Sequence, residues 1–118
     1  MMMEYLQKEG FMPKRESFGL AFRYQMKNYL FIENDDDPSF FQLTMPGICD
    51  VDDENRARVH LAMDAMNGSV KVAKAAIIDD SVWLFAEILI DSSPELDDIV
   101  PRALGILQHG YNVFRKNY

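Results

Sequence analysis

The chain has 118 residues, of which 48% are hydrophobic and 26% are charged, and its formal net charge is −7. This length and composition are typical of one folded domain over residues 1–118 and exclude a disordered chain. No apolar run reaches the ~20 residues that a membrane span needs, and Glu4 and Glu9 do not fit a signal peptide, so no membrane partner is expected. Cys49 is the single cysteine, which favours a cytoplasmic protein without an internal disulfide.

The first half of the chain predicts one helix followed by three strands. Residues 2–9 have the pattern of a short helix, which Gly10 ends. Alternating apolar residues predict strands over 17–25, 28–33 and 39–45.

Turn-forming residues lie on both sides of the third strand. Asp35, Asp36 and Asp37 precede Pro38 between the second and third strands, and these residue types form turns. We therefore interpret the acidic stretch as the tip of a hairpin. The pair Pro46-Gly47 is expected to end the third strand.

The second half predicts a helix, a hairpin and a final helix. A helix over 53–67 is expected, with Asp50, Asp52 or Asp53 as its N-terminal cap and Asn67-Gly68 as its end. Strands over 70–78 and 82–90 form a hairpin, and a last helix begins after Ser92 or Ser93, with a kink or a restart expected at Pro101. Apolar stripes indicate the buried faces of the two helices: Val59, Ala62, Met63 and Met66 in the first, and Val100, Ala103, Leu104, Leu107, Tyr111 and Phe114 in the second.

The order of elements, α-β-β-β-α-β-β-α, defines an α+β protein. We predict an antiparallel five-stranded sheet with helices packed on one side.

The sequence contains no recognisable constellation for catalysis or for a cofactor. The aspartate clusters Asp35–Asp37 and Asp50–Asp53 lack the glycine and glutamate spacing of a calcium loop. His60, His109 and Cys49 are too few and too scattered for a zinc site. We therefore predict a non-enzymatic protein without metal or cofactor.

Glu87 is unusual because it interrupts a strongly apolar strand. A cross-strand pair with Arg23, Lys71 or Lys74 is the expected role for this carboxylate.

The strands predict one apolar surface for a partner. In strand 82–90, Trp83, Phe85 and Leu89 lie on the face opposite the aliphatic one. Tyr29 and Phe31 add aromatic side chains from strand 28–33. We predict that these five residues form a partner-binding surface, because exposed apolar patches commonly mark interfaces. The alternative is that the terminal segments of the chain fold over the same face and cover it.

The chain resembles the YbjN-like family of proposed bacterial sensory transduction regulators. The resemblance runs in order through "GLAFRYQMKNYLF" (19–31), "DDPSFFQLTMPGI" (36–48), "NGSVKVAKAAIIDDSVWLFAEILID" (67–91) and "PRAL" (101–104). It implies a fold like that of the type III secretion chaperones, homodimerisation and binding of partly extended protein segments. It implies no catalytic residues.

The leading hypothesis is thus a cytoplasmic, chaperone-like or regulatory protein-binding module that forms a homodimer. An immunity- or antitoxin-type inhibitor is the alternative, because residues 34–54 carry seven acidic residues and no basic one and could face a basic partner. A divalent-dependent enzyme that uses the two aspartate clusters is a third hypothesis. Nucleic acid is not an expected partner, since the chain shows no basic surface for a phosphate backbone.

Overall fold

A computed structural model describes all 118 residues as one α+β arrangement of three helices and six strands. The elements are α1 (Met2–Lys8), β1 (Lys14–Glu16), β2 (Gly19–Tyr24), β3 (Lys27–Ile32), β4 (Phe40–Asp50), α2 (Arg56–Ser69), β5 (Ala73–Ile78), β6 (Ser81–Leu89) and α3 (Leu96–Asn117).

The strands form one antiparallel sheet in the order β1-β2-β3-β4-β6-β5. The prediction of five strands is wrong by one, since β1 was not expected. Lys14, Arg15 and Glu16 are all charged, so this short strand carries no apolar alternation. It forms because β2 offers it a free edge, where Arg15 pairs with Leu20.

The third predicted strand extends beyond its expected end. β4 continues past Pro46 and Gly47 to Asp50, and its pairing with β6 shifts register between Met45 and Cys49. Gly47 has φ +57 at this bulge, a conformation that suits glycine. The pair Pro46-Gly47 therefore bends the strand and does not end it.

The helices pack on one face of the sheet and enclose the core. Val59, Ala62 and Met66 of α2 are fully buried there, as the apolar stripe predicts. The buried residues of α3 are Val100, Ala103, Leu104, Leu107, Gly110 and Phe114.

Pro101 lies inside a continuous α3, so the expected restart does not occur. The ring is exposed to solvent, whereas the neighbouring Val100 is fully buried. Packing of the buried stripe therefore offsets the hydrogen bond that the proline lacks.

Both terminal segments lie on this same side of the sheet. Leu6 of α1 belongs to the hydrophobic core cluster that the other helices form. At the other end of the chain, Phe114 is buried and stacks on Tyr118. The hydroxyl of Tyr118 accepts a 2.9 Å hydrogen bond from Asn55, just before α2. None of the three helices is both long and apolar enough to cross a membrane.

Candidate functional site

The second face of the sheet is not covered by a helix, and we call it the open face. Paired residues of an antiparallel ladder point to the same side, so the register identifies its members. The central members of the open face are Leu30, Ile32, Gln42, Thr44, Lys74, Ala76, Trp83, Phe85, Glu87 and Leu89.

Three of the five predicted surface residues come together on this face. The rings of Trp83 and Phe85 lie side by side, with centroids 6.3 Å apart. Leu89 follows on the same strand and is 78% exposed. Trp83 is half-buried, and Phe85 is largely covered by its neighbours. Along β6 the open face thus presents the Trp83–Phe85 pair and the exposed Leu89, with Glu87 between them.

The other two predicted residues lie on the opposite, helix-covered face. Tyr29 pairs with Phe22 and is fully buried, and the two rings stack with centroids 5.6 Å apart. Phe31 pairs with Leu43, another core residue. Their expected placement beside Trp83 is therefore corrected by the register of β3.

Leu30 and Ile32 occupy the positions on the open face that the aromatics of β3 were expected to fill. Leu30 lies opposite Thr44, which in turn lies opposite Phe85, so the three form one row across the sheet. Both Leu30 and Ile32 are half-buried. Since β3 is apolar on both sides, its sequence alone carries no signal that selects these residues.

A polar chain of contacts crosses the open face beside the aromatic pair. Glu87 accepts a 3.1 Å hydrogen bond from the Gln42 amide. Its other carboxylate oxygen lies 2.6 Å from Nζ of Lys74. The Lys74 ammonium also lies 5.8 Å from the centre of the Phe85 ring. The predicted cross-strand pair of Glu87 is thus confirmed, with Lys74 as the partner.

Thr44 marks the centre of the open face. The residue is fully buried although no helix covers it, and its hydroxyl has no hydrogen-bond partner. Leu30 and Phe85 flank it on either side. The side chains of the open face therefore shield its centre from solvent.

The acidic residues of the window 34–54 lie before β4 and at its far end, on either side of the strand's apolar middle. Asp37 accepts a 2.8 Å hydrogen bond from Ser39 in the loop between the paired strands β3 and β4, as expected of a hairpin tip. Asp52 and Asn55 exchange two backbone-to-side-chain bonds of 2.8 Å before α2. No three His, Cys, Asp or Glu side chains form a group that could hold a metal ion.

The isolated titratable residues lie apart from one another. His60 and His109 are exposed on α2 and α3. Cys49 is half-buried in β4, and its thiol lies 3.5 Å from the carbonyl oxygen of Asp50. These side chains form no common site.

The fold and its two unlike sheet faces define a class of small α+β proteins, and solved structures of this class exist. No family model matches the sequence, and no curated protein matches it. An uncharacterised protein from Methanothermobacter thermautotrophicus superposes with a TM-score of 0.65 at 13% identity, over 98% of this chain and 93% of that one.

YbjN from E. coli, described as a proposed transcription regulator, superposes with a TM-score of 0.71 at 11% identity. The match covers 96% of this chain and 85% of YbjN. The chain therefore has the YbjN-like fold, and the resemblance seen in the sequence is confirmed at the level of the fold. The finer likeness to type III secretion chaperones stays a prediction.

Proposed function

We propose that the protein is a non-enzymatic protein-binding module, chaperone-like or regulatory, that acts as a homodimer through the open face. The observation that carries this proposal is the apolar side chains of Trp83, half-buried, and Leu89, exposed, beside Phe85 on a sheet face that no helix covers. A non-enzymatic role agrees with the description of YbjN as a proposed regulator.

The charges on the open face favour a second copy of the chain as its occupant. The register places Lys14, Arg23 and Lys74 on this face together with Glu16 and Glu87. The face is thus nearly neutral, although the whole chain carries −7. Two acidic chains that meet through this face therefore bring little like charge together.

The burial of the face supports the same occupant. Its centre, at Thr44, is already buried in the single chain, and its margin at Leu89 is largely exposed. A partner needs only to cover the exposed apolar margin, and burial of apolar area contributes about 25 cal/mol per Å². Side chains such as Trp83 are enriched among the residues that dominate interface energies.

Sedimentation equilibrium of the wild type and of two matched leucine variants tests the proposal. Leu89→Ser changes the open face, whereas Leu61→Ser changes a leucine of α2 that is 69% exposed and lies outside it. We expect a wild-type dimer whose dissociation constant rises roughly tenfold or more in Leu89→Ser and in Trp83→Ala, which corresponds to about 1.4 kcal/mol. Leu61→Ser should leave the constant unchanged.

The proposal fails if the wild type is a monomer at every concentration, or if the two leucine variants dimerise equally. Circular dichroism of each variant establishes that the fold is retained. Raising the ionic strength separates this proposal from the acidic-inhibitor alternative: contacts of an apolar face are insensitive to salt, whereas association through residues 34–54 weakens steeply.

A further inference from the structure

The outer edge of β5 is the longer free edge of the sheet. Residues of an antiparallel strand alternate between those whose backbone groups bond the neighbouring strand and those whose groups point away. A two-residue turn joins the closing pair Ile78 and Ser81 of the β5–β6 hairpin. The backbone groups of Ala73, Ala75 and Ile77 therefore point away from β6. Such a row of free groups is a template for another strand.

One side chain fills the middle of this row. The carboxamide of Asn67 accepts a 2.7 Å hydrogen bond from the Ala75 amide and donates a 3.3 Å bond to the Ala75 carbonyl oxygen. A carboxamide has the same donor and acceptor as a peptide group. Asn67 thus occupies the place that the backbone of an added strand would take.

The β5 edge is complementary to itself. If two copies are related by a two-fold axis at Ala75, each Ala75 bonds the other, and each Ala73 lies opposite Ile77 of the second copy. Lys74 then lies opposite Ala76, so no like charges meet across the new ladder. The bonds at the axis need the two groups that Asn67 holds.

The entry to this strand adds an exposed apolar side chain. Val72, directly before β5, has φ +74 and is 53% exposed. A β-branched residue in the left-handed region is a conformational outlier. Because the Val72 side chain is exposed beside the edge, an added strand would also cover apolar surface.

We propose that Asn67 guards the β5 edge against antiparallel pairing with β5 of a second copy. Removal of the Asn67 side chain would allow copies of the chain to associate through their β5 edges. A chain with two different two-fold interfaces, at the open face and at β5, forms assemblies larger than a dimer, either a closed tetramer or a longer polymer. This inference does not rest on the open face, since the edge pairs in the same way in a chain that is otherwise monomeric.

The test compares Asn67→Ala with Asn112→Ala, an exposed asparagine of α3 outside the edge. Light scattering after size-exclusion chromatography gives the mass at rising concentrations, relative to the wild type. We expect the mass of Asn67→Ala to grow with concentration, to at least twice that of the wild type, and Asn112→Ala to match the wild type. Adding Ile77→Pro to Asn67→Ala removes an outward amide donor and should restore the wild-type mass.

Hydrogen exchange of the Ala75 amide at low protein concentration measures the bond between Ala75 and Asn67 directly. We expect this amide to exchange at least tenfold faster in Asn67→Ala than in the wild type, because its acceptor is gone. If Asn67→Ala does not fold, Asn67→Ser, whose side chain is too short to hold both groups of Ala75, takes its place.

A faster exchange without any growth in mass would overturn the proposal, and so would an unchanged exchange rate. The Leu89→Ser background separates this inference from the proposed function. In that background we expect Asn67→Ala to double the mass through edge pairing, whether or not the open face associates.

Discussion

Lys74 and Glu87 form a diagonal ion pair across the β5–β6 ladder, 2.6 Å from Nζ to Oε1. Lys74 lies opposite Phe85 in the register and not opposite Glu87, so the pair reaches past the aromatic ring. Glu87 also accepts a hydrogen bond from Gln42. One carboxylate thereby ties β5 and β4 to the strand between them.

Replacing this carboxylate should weaken the fold more than breaking an ordinary surface pair. We expect Glu87→Ala to lower the free energy of unfolding by about 1 kcal/mol, because it removes a charged hydrogen bond and a partly shielded ion pair. Asp98→Ala, in the exposed pair of Asp98 with Arg102 on α3, should cost about 0.5 kcal/mol or less. Urea denaturation of both variants measures the difference, and equal losses would contradict this role of Glu87.

Two glycines should respond to alanine in opposite directions. At Gly19, which has φ +148, a Cβ atom would lie 2.0 Å from the carbonyl oxygen of Phe31 on the paired strand. Gly19→Ala should therefore destabilise the protein by about 3 kcal/mol or more. At Gly68 of α2 nothing lies within 4 Å, so Gly68→Ala should raise the stability by about 0.5–1 kcal/mol through helix propensity. Thermal unfolding of the two variants decides whether both signs hold.

The buried hydroxyl of Tyr29 makes stability fall at alkaline pH. Burial raises the pKa of Tyr29 to about 12, against a smaller opposing effect of Gln108. An unfolded tyrosine ionises near pH 10, so the unfolded chain binds fewer protons than the folded chain between pH 10 and pH 12. The contribution of neutral Tyr29 to the free energy of unfolding is present in full below pH 10 and is lost as the pH rises from 10 to 12.

Tyr29→Phe should remove this part of the pH dependence. The Tyr29 hydroxyl has no hydrogen bond of normal geometry, and the amide of Gln108 donates to Gln25 instead. At pH 7 the variant should therefore be as stable as the wild type or up to about 1 kcal/mol more stable. Urea midpoints at pH 9 and pH 11 give the comparison; an equally steep alkaline loss in both proteins would argue against the burial effect at this residue.

Much of the fold can be derived from apolar periodicity. The alternation in β2 and the stripe of Val59, Ala62 and Met66 in α2 indicate elements whose buried residues match the core. β1 has no such signal, since its three residues are charged and it depends on the edge of β2. Pro46 is locally typical of a strand end, yet pairing with β6 extends β4 beyond it.

The open face could be predicted only in part. The alternation in β6 separates an aliphatic face from a face with Trp83, Phe85 and Glu87, and the second of these is the one that no helix covers. In β3 both faces are apolar, and only the pairing of Tyr29 with Phe22 decides which one is buried. The contact of Asn67 could not be predicted either. The sequence around Asn67-Gly68 indicates the end of a helix, whereas the side chain of Asn67 bonds Ala75, which lies in β5.

The strand order has a consequence for how the chain folds. Four of the five ladders join strands that are consecutive in the sequence, and β4–β6 is the exception, with α2 and β5 between them. Closing such a long loop costs more chain entropy than forming a hairpin, and non-local pairings slow folding. The sheet therefore consists of two parts whose strands pair locally, and we expect the docking of β6 against β4 to be the slowest of the five pairings to form.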